Sequence, residues 1–153
     1  MVSFMFSIEA VNDPERRDVV LARLQTVNDE RSPALRALRR TPVMEARPLE
    51  VYATYACGER GELAGGLVGH VQWQWLHVDL LWVDAGARGA GLGSRLIARA
   101  EARAREEFGC IGSQVETWDF QAPGFYQRVG YRLAASIPDY PPGITSHLLV
   151  KEL

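Results

Sequence analysis

The chain has 153 residues, 47% of them hydrophobic and 24% charged, and its 17 Lys and Arg against 19 Asp and Glu leave a net charge of −2. That length suits one domain, residues 1–153, with a core large enough to need no staples, and the near-neutral balance excludes a strong pull toward nucleic acid or anionic lipid. Two cysteines, Cys57 and Cys110, form neither a metal-type pair nor a disulfide framework, which fits a cytoplasmic protein without a metal site.

The opening MVSFMFSIEA is apolar but has no basic leader and meets Glu9 too early for a signal peptide, so it reads as a first strand. Asn12 or Asp13 then caps a helix with Pro14 in its first turn and Val20, Leu24 and Val27 at helical spacing. Ser32 and Pro33 open a second, short helix to about Arg39, and Thr41 to Pro48 form a loop. LEVYATYAC is a strand, GERGE a hairpin turn and LAGGLVGHVQWQ the returning strand.

Leu63 to Val83 carries few charges over about the length of a membrane span. Asp79, His70, His77 and two glutamines argue against a span, and polar residues alternate with apolar ones, with a change of face near Trp75. The segment is two strands or one long bent one. WLHVDLLWV ends apolar on both faces, as in a sheet covered by helices, and Trp82 reads as core.

From Ser94 a helix follows, with Leu96, Ala100, Ala104 and Phe108 on one side, arginine and glutamate on the other, including a Glu101 to Arg105 pair, and Gly109 as the stop. IGSQVET is a strand, APGFYQRV a short helix begun near Pro123, GYRLAAS a strand, IPDYPPG a loop and ITSHLLVKEL a last strand. The order predicts an α/β or α+β domain around one central sheet.

Gly89, Gly91 and Gly93 stand just before the helix with no large side chain to block backbone approach. A helix start leaves about four N–H groups unpaired and carries roughly half a positive charge, so such a turn is a phosphate cradle, and Arg88 adds a fixed charge at its mouth. A tight turn without a ligand is the competing reading. Ser94 and Arg95 follow the last glycine where a P-loop needs lysine, and GxGxG is not the GxGxxG of a dinucleotide site, so neither a nucleoside triphosphatase nor a dinucleotide enzyme fits.

Arg88, Gly91 and Gly93, after the strand LLWV, together with Ala122, Tyr126, Gly130 and Tyr131 in DFQAPGFYQRVGY, resemble the two signatures of the GCN5-related N-acetyltransferases, although Asp119 stands where that family usually has Asn. The resemblance extends over essentially the whole chain and is narrower toward small bacterial acetyltransferases. It implies a mixed, mostly antiparallel, splayed sheet of six to seven strands flanked by about four helices. It also implies that acetyl-CoA lies where two strands part. Its pantetheine arm would pair with Leu81, Trp82 and Val83 and its diphosphate would meet the amides of Arg88, Gly89, Ala90, Gly91, Leu92, Gly93 and Ser94. Asp119 and Ala122 would flank the pantetheine, and Arg95 or Arg99 would reach the 3′-phosphate. An amide near Leu81 or Val83 would polarise the thioester carbonyl.

Tyr126 is then the candidate acid for the departing thiolate, since phenol and thiol ionise near ~10 and ~8.5. Asp79 and His77 share a strand face and are candidate bases, with Glu116 a third. The first two helices, Trp73, Trp75, the IPDYPPG loop and His147 would select the acceptor. The expected activity is acetyl transfer from acetyl-CoA to a primary amine of a small molecule, an antibiotic or polyamine-like metabolite, by direct attack. The alternatives are a protein N-terminal or lysine acetyltransferase and a non-catalytic acyl-CoA-binding module. By the same resemblance the chain forms a homodimer.

Overall fold

The computed structural model describes residues 5–56, 62–121 and 123–153, and the chain groups into two compact units, Met1–Pro42 and Val43–Leu153. In the first unit Asp13 accepts from the Arg16 amide at 3.0 Å and Pro14 occupies the first turn of α1 (Pro14–Arg31). Ser32 closes α1 and caps α2 (Pro33–Leu38) through the Leu35 amide at 3.2 Å. Both caps are the polar residues placed before proline that the sequence marks as helix starts.

The expected first strand is not formed over its described part, residues 5–10. Met5 and Ile8 are both 95% exposed, and Glu9 turns its carboxylate to Arg16 at 2.7 Å. The segment serves as the entry to α1, and without a ladder partner its apolar composition alone makes no strand.

The second unit is a six-stranded sheet with β1 (Arg47–Thr54), β2 (Leu63–Gln72), β3 (Trp75–Val83), β4 (Gly112–Trp118), β5 (Arg132–Ile137) and β6 (Ser146–Glu152) in the order β1-β2-β3-β4-β6-β5. Neighbours are antiparallel except β3 and β4, which α3 (Leu92–Phe108) connects as a parallel pair. A parallel pair needs such a crossover, which is why the longest helix of this unit lies between these two strands. In the loop expected from Thr41 to Pro48, Pro42–Met44 wind into a 3-10 turn and β1 already starts at Arg47. The GERGE turn lies, except for Glu62, outside the described residues.

β2 and β3 are two strands joined by a two-residue turn in which Trp73 and Gln74 have φ of 54° and 58°. Two left-handed residues in succession are what a tight right-twisted hairpin requires, and the turn explains the change of face near Trp75. Asp79 is a bulge, since Val78 pairs with Gly69 and Leu80 with Val68. Strict alternation from Leu76 and Val78 would carry Leu80 and Trp82 into the core. The extra residue instead turns Leu81 and Val83 inward, so Trp82, read as core from sequence, is 50% exposed.

α3 covers one face of the sheet with Leu96, Ile97, Ala100 and Ala104 against Leu49, Leu67 and Leu76. Glu101 falls on this inner side between Ile97 and Ala104, so it pairs with Lys151 at 2.7 Å and not with Arg105. The outer pair is Arg103 with Glu107 at 3.0 Å. Gly109, left-handed at φ 64°, ends the helix as expected. The short α4 (Pro123–Arg128) brings Tyr126 to the same side of the sheet, where Tyr131 bonds to Ser113 at 2.7 Å.

Candidate active site

β3 and β4 pair only from Trp75 with Gly112 to Val78 with Val115, and beyond this point they separate. A cleft of about 710 Å³ fills the fork, lined from β3 by Asp79, Leu81, Trp82 and Val83, from β4 by Glu116 and Thr117, and by Phe125 and Tyr126 of α4. The bulge and the end of pairing coincide. From Leu80 to Val83, β3 keeps β2 on one side and has no β4 partner on the other, so one edge of its backbone is available to an extended ligand.

The cleft passes through the sheet. Val115 and Thr117 belong to the α3 side with Tyr126, whereas Glu116 and Gln114 alternate to the opposite side, where His77 sits. The start of α3 and Tyr126, the candidate acid, therefore face one side of the slot, and the candidate bases face the other.

On the α3 side Arg88 lines the cleft and its Nε donates to the Val83 carbonyl at 3.2 Å, leaving the rest of the guanidinium directed elsewhere. The first amide of α3 with a backbone acceptor is that of Arg95, bonded to Gly91 at 3.1 Å, and no side chain caps that end. The amides of Leu92, Gly93 and Ser94 thus remain as donors with the positive end of the helix dipole behind them. Gly91 has φ 74°, and a β-carbon there would meet nothing within 4 Å, so the space beside the turn is open. Asp84 steadies the approach to it, accepting from the Gly86 amide at 3.0 Å and from the Tyr55 hydroxyl at 2.6 Å. The Tyr55 hydrogen bond, followed by the amide of Gly86, holds the Asp84 carboxyl below its ordinary value.

Tyr126 is 6% exposed and packs edge-on between Phe125 and Tyr131. Among the described residues its hydroxyl has no hydrogen-bond partner, and burial pushes its pKa up to about 12. It is protonated throughout the physiological range and free to donate.

On the opposite face Asp79 accepts from or shares a proton with His70 Nδ1 at 2.8 Å, and the His70 ring stacks on His77 at 4.5 Å with 13° between planes. Gln114 Nε2 lies against His77 Nδ1. Burial, then the charge of His70, lower the His77 pKa, with the Gln72 carbonyl and Asp79 acting weakly in the other direction. His70 carries no signal of its own in the sequence. The two-residue turn supplies it, because pairing Gln72 with Trp75 sets His70 opposite His77.

Some expected site residues are not gathered here. Asp119 extends the β4–β6 ladder, its amide bonded to Thr145 at 3.1 Å and its carboxylate accepting from the Thr145 amide at 3.3 Å. Ala122 lies outside the described residues. His147 pairs with Thr117 on the α3 side and bonds to Ser136 at 2.8 Å, away from His77. Gln121 and Phe125 were not singled out by sequence reasoning. Gln121 accepts from Thr117 and from the Trp118 amide at 3.1 and 3.0 Å, and the Phe125 ring rests 3.3 Å from where Gly93 would carry a β-carbon.

The sequence model of the acetyltransferase (GNAT) family matches residues 21–131. The chain belongs to the GNAT acetyltransferase family. It is 99% identical over 133 residues to a blasticidin-S acetyltransferase of Streptomyces morookaense, covering 87% of this chain and 98% of that one. An acetyltransferase of Agrobacterium fabrum is 40% identical over 75 residues, 49% of this chain and 54% of its own. An acetyltransferase from Bacillus cereus has a crystal structure that superimposes with a TM-score of 0.74 at 26% identity, covering 96% of this chain and 98% of that one. This GNAT chain is accordingly an acetyl-CoA-dependent N-acetyltransferase, and the splayed mixed sheet expected from its signatures is the one observed. No described helix is long and apolar enough to cross a membrane.

Proposed function

We propose that this GNAT enzyme acetylates a primary amine of blasticidin S or a chemically related antibiotic, with acetyl-CoA entering the slot from the α3 side and the acceptor from the side of Asp79 and Glu116. The observation that carries the reading is the slot itself, with a diphosphate cradle and a phenol toward one face and carboxylates toward the other. The 99% identical relative supports the choice of acceptor.

In this reading the pantetheine arm runs along the unpaired edge of Leu81, Trp82 and Val83. The diphosphate meets the backbone from Arg88 to Ser94, including Gly89, Ala90, Gly91, Leu92 and Gly93. A β3 amide near Leu81 or Val83 donates to the thioester oxygen, a preorganised contact worth ~3 kcal/mol in the transition state. The two carboxylates attract a protonated amine and one of them, Asp79 first, receives its proton, directly or through water. The neutral amine nitrogen attacks the carbonyl carbon and forms the amide bond. The carbon–sulfur bond breaks, the thiolate takes a proton from Tyr126, and the second proton that the nitrogen sheds on becoming the amide restores the phenol, so the net proton released is the one held by the carboxylate. His70, held to Asp79, keeps that carboxylate oriented and offers the proton a route outward.

The test is mass detection of a monoacetylated product from blasticidin S with acetyl-CoA, alongside simple polyamines and peptides with free amino termini. Turnover of the antibiotic with kcat/KM at least tenfold above the other acceptors is expected. Turnover of peptides alone would contradict the proposal.

A further inference from the structure

We infer that the acceptor face of the slot continues into a subsite for a planar aromatic or heteroaromatic ring, so that the enzyme takes acceptors in which such a ring is joined by a linker to the reacting amine. The inference rests on acetyl transfer taking place beside Asp79 and Glu116.

Three hollows follow one another across this face. The cleft shares Asp79 and Glu116 with a hollow of about 300 Å³ that also contains His77 and Gln114. That hollow shares His77 and Gln114 with another of about 360 Å³, walled by Trp73, Trp75 and Val150. The order along β3 is Trp75, His77, Asp79, and each pair of residues advances roughly 6.6 Å along a strand. A ring between the tryptophans and His77 therefore lies roughly 7 to 13 Å from the carboxylates, the distance a short linker bridges.

The walls are formed in a way that packing of the core does not require. Trp75 lies over Gly112 of β4, where a β-carbon would stand 2.6 Å from the indole. Glycine at that position lets the indole lie against the strand as a platform. Trp73 has φ 54°, a backbone region that a bulky side chain enters only at a cost, and it holds a ring that is 54% exposed at the edge of the hollow. Its indole stands edge-on to His77 at 6.3 Å and 69°.

A polar group completes the site. The Gln114 amide donates to His77 Nδ1, so a neutral His77 carries its proton on Nε2. Nε2 is buried and faces the Gln72 carbonyl, which with Gln114 fixes the plane of the ring. Two indoles and an imidazole lining one hollow describe a site for a flat ring, not for an aliphatic chain.

The experiment compares a primary amine carrying a pyridine ring at the end of an alkyl linker with the same alkylamine lacking the ring, in wild type, Trp73→Ala and Trp75→Leu. Acetylation kinetics and tryptophan quenching in the presence of CoA are both read. The wild type is expected to prefer the ring-bearing amine by tenfold or more in kcat/KM, the preference falling to near parity in both variants while KM for acetyl-CoA and the melting temperature of Trp73→Ala stay unchanged. Equal use of the two amines by the wild type, or a preference that survives both substitutions, would overturn the subsite. If neither amine is turned over, absence of quenching by the pyridine compound overturns it as well. Blasticidin S acetylation without ring preference defeats the subsite alone, and ring preference without blasticidin S acetylation defeats the antibiotic reading alone.

Discussion

The two halves of β3 have similar apolar composition and different fates. Trp75–Val78 is hydrogen-bonded on both edges, and Leu76 within it is fully buried. Leu80–Val83 is bonded on one edge, and Leu80 is 64% exposed. One bulge at Asp79 and the departure of β4 separate a half paired on both edges from a half with one free edge, along which the proposed cofactor would run. Hydrophobicity along a strand therefore does not report burial unless the register on both sides is known.

The largest separation is expected in stability. Leu76→Ala leaves a cavity in the closed half and costs about 2–5 kcal/mol, whereas Leu80→Ala stays within about 0.5 kcal/mol, both read from urea unfolding. Comparable losses would mean that the open half is as much core as the closed one. Next comes the cradle. Gly91→Glu puts a carboxylate beside the free amides of the turn and should weaken acetyl-CoA binding by about a hundredfold, measured by calorimetry, with a helix that is still folded by circular dichroism.

On the proposed mechanism, in which the hydroxyl acts on the leaving thiolate, Tyr126→Phe should lower kcat by roughly a hundredfold with KM for acetyl-CoA nearly unchanged. An unchanged kcat would leave Tyr126 with a packing role alone.

The smallest effect concerns His77. Its folded pKa lies below the unfolded value of about 6.5, so the unfolded chain binds the proton first, and stability falls as pH drops from about 6.5 toward the folded value and is retained above it. Unfolding midpoints at acidic and neutral pH should differ less in His77→Gln than in wild type.

Much of this was legible in the residues. The caps at Asp13 and Ser32, the glycine turn before α3 and the i,i+4 apolar row of that helix are local signals, and the structure forms each of them. The position of Tyr126 beside the fork follows from the motif in which it sits. What could not be read depends on pairing across distance. The bulge that turns Trp82 outward, the meeting of His70 with Asp79, and the recruitment of Glu101 by Lys151 each need a second strand or helix in register. The opening segment shows the converse, since its apolar residues promised a strand that residues 5–10 do not form.

The central claim is that acetyl-CoA occupies the fork as an added partner of β3. Amide hydrogen exchange with and without saturating acetyl-CoA tests it most directly. Amides of Trp75–Val78 should already be protected in the free enzyme, and binding should add protection within Leu80–Val83 and at Gly89–Ser94. Unchanged exchange in both of those segments at saturation would contradict the account.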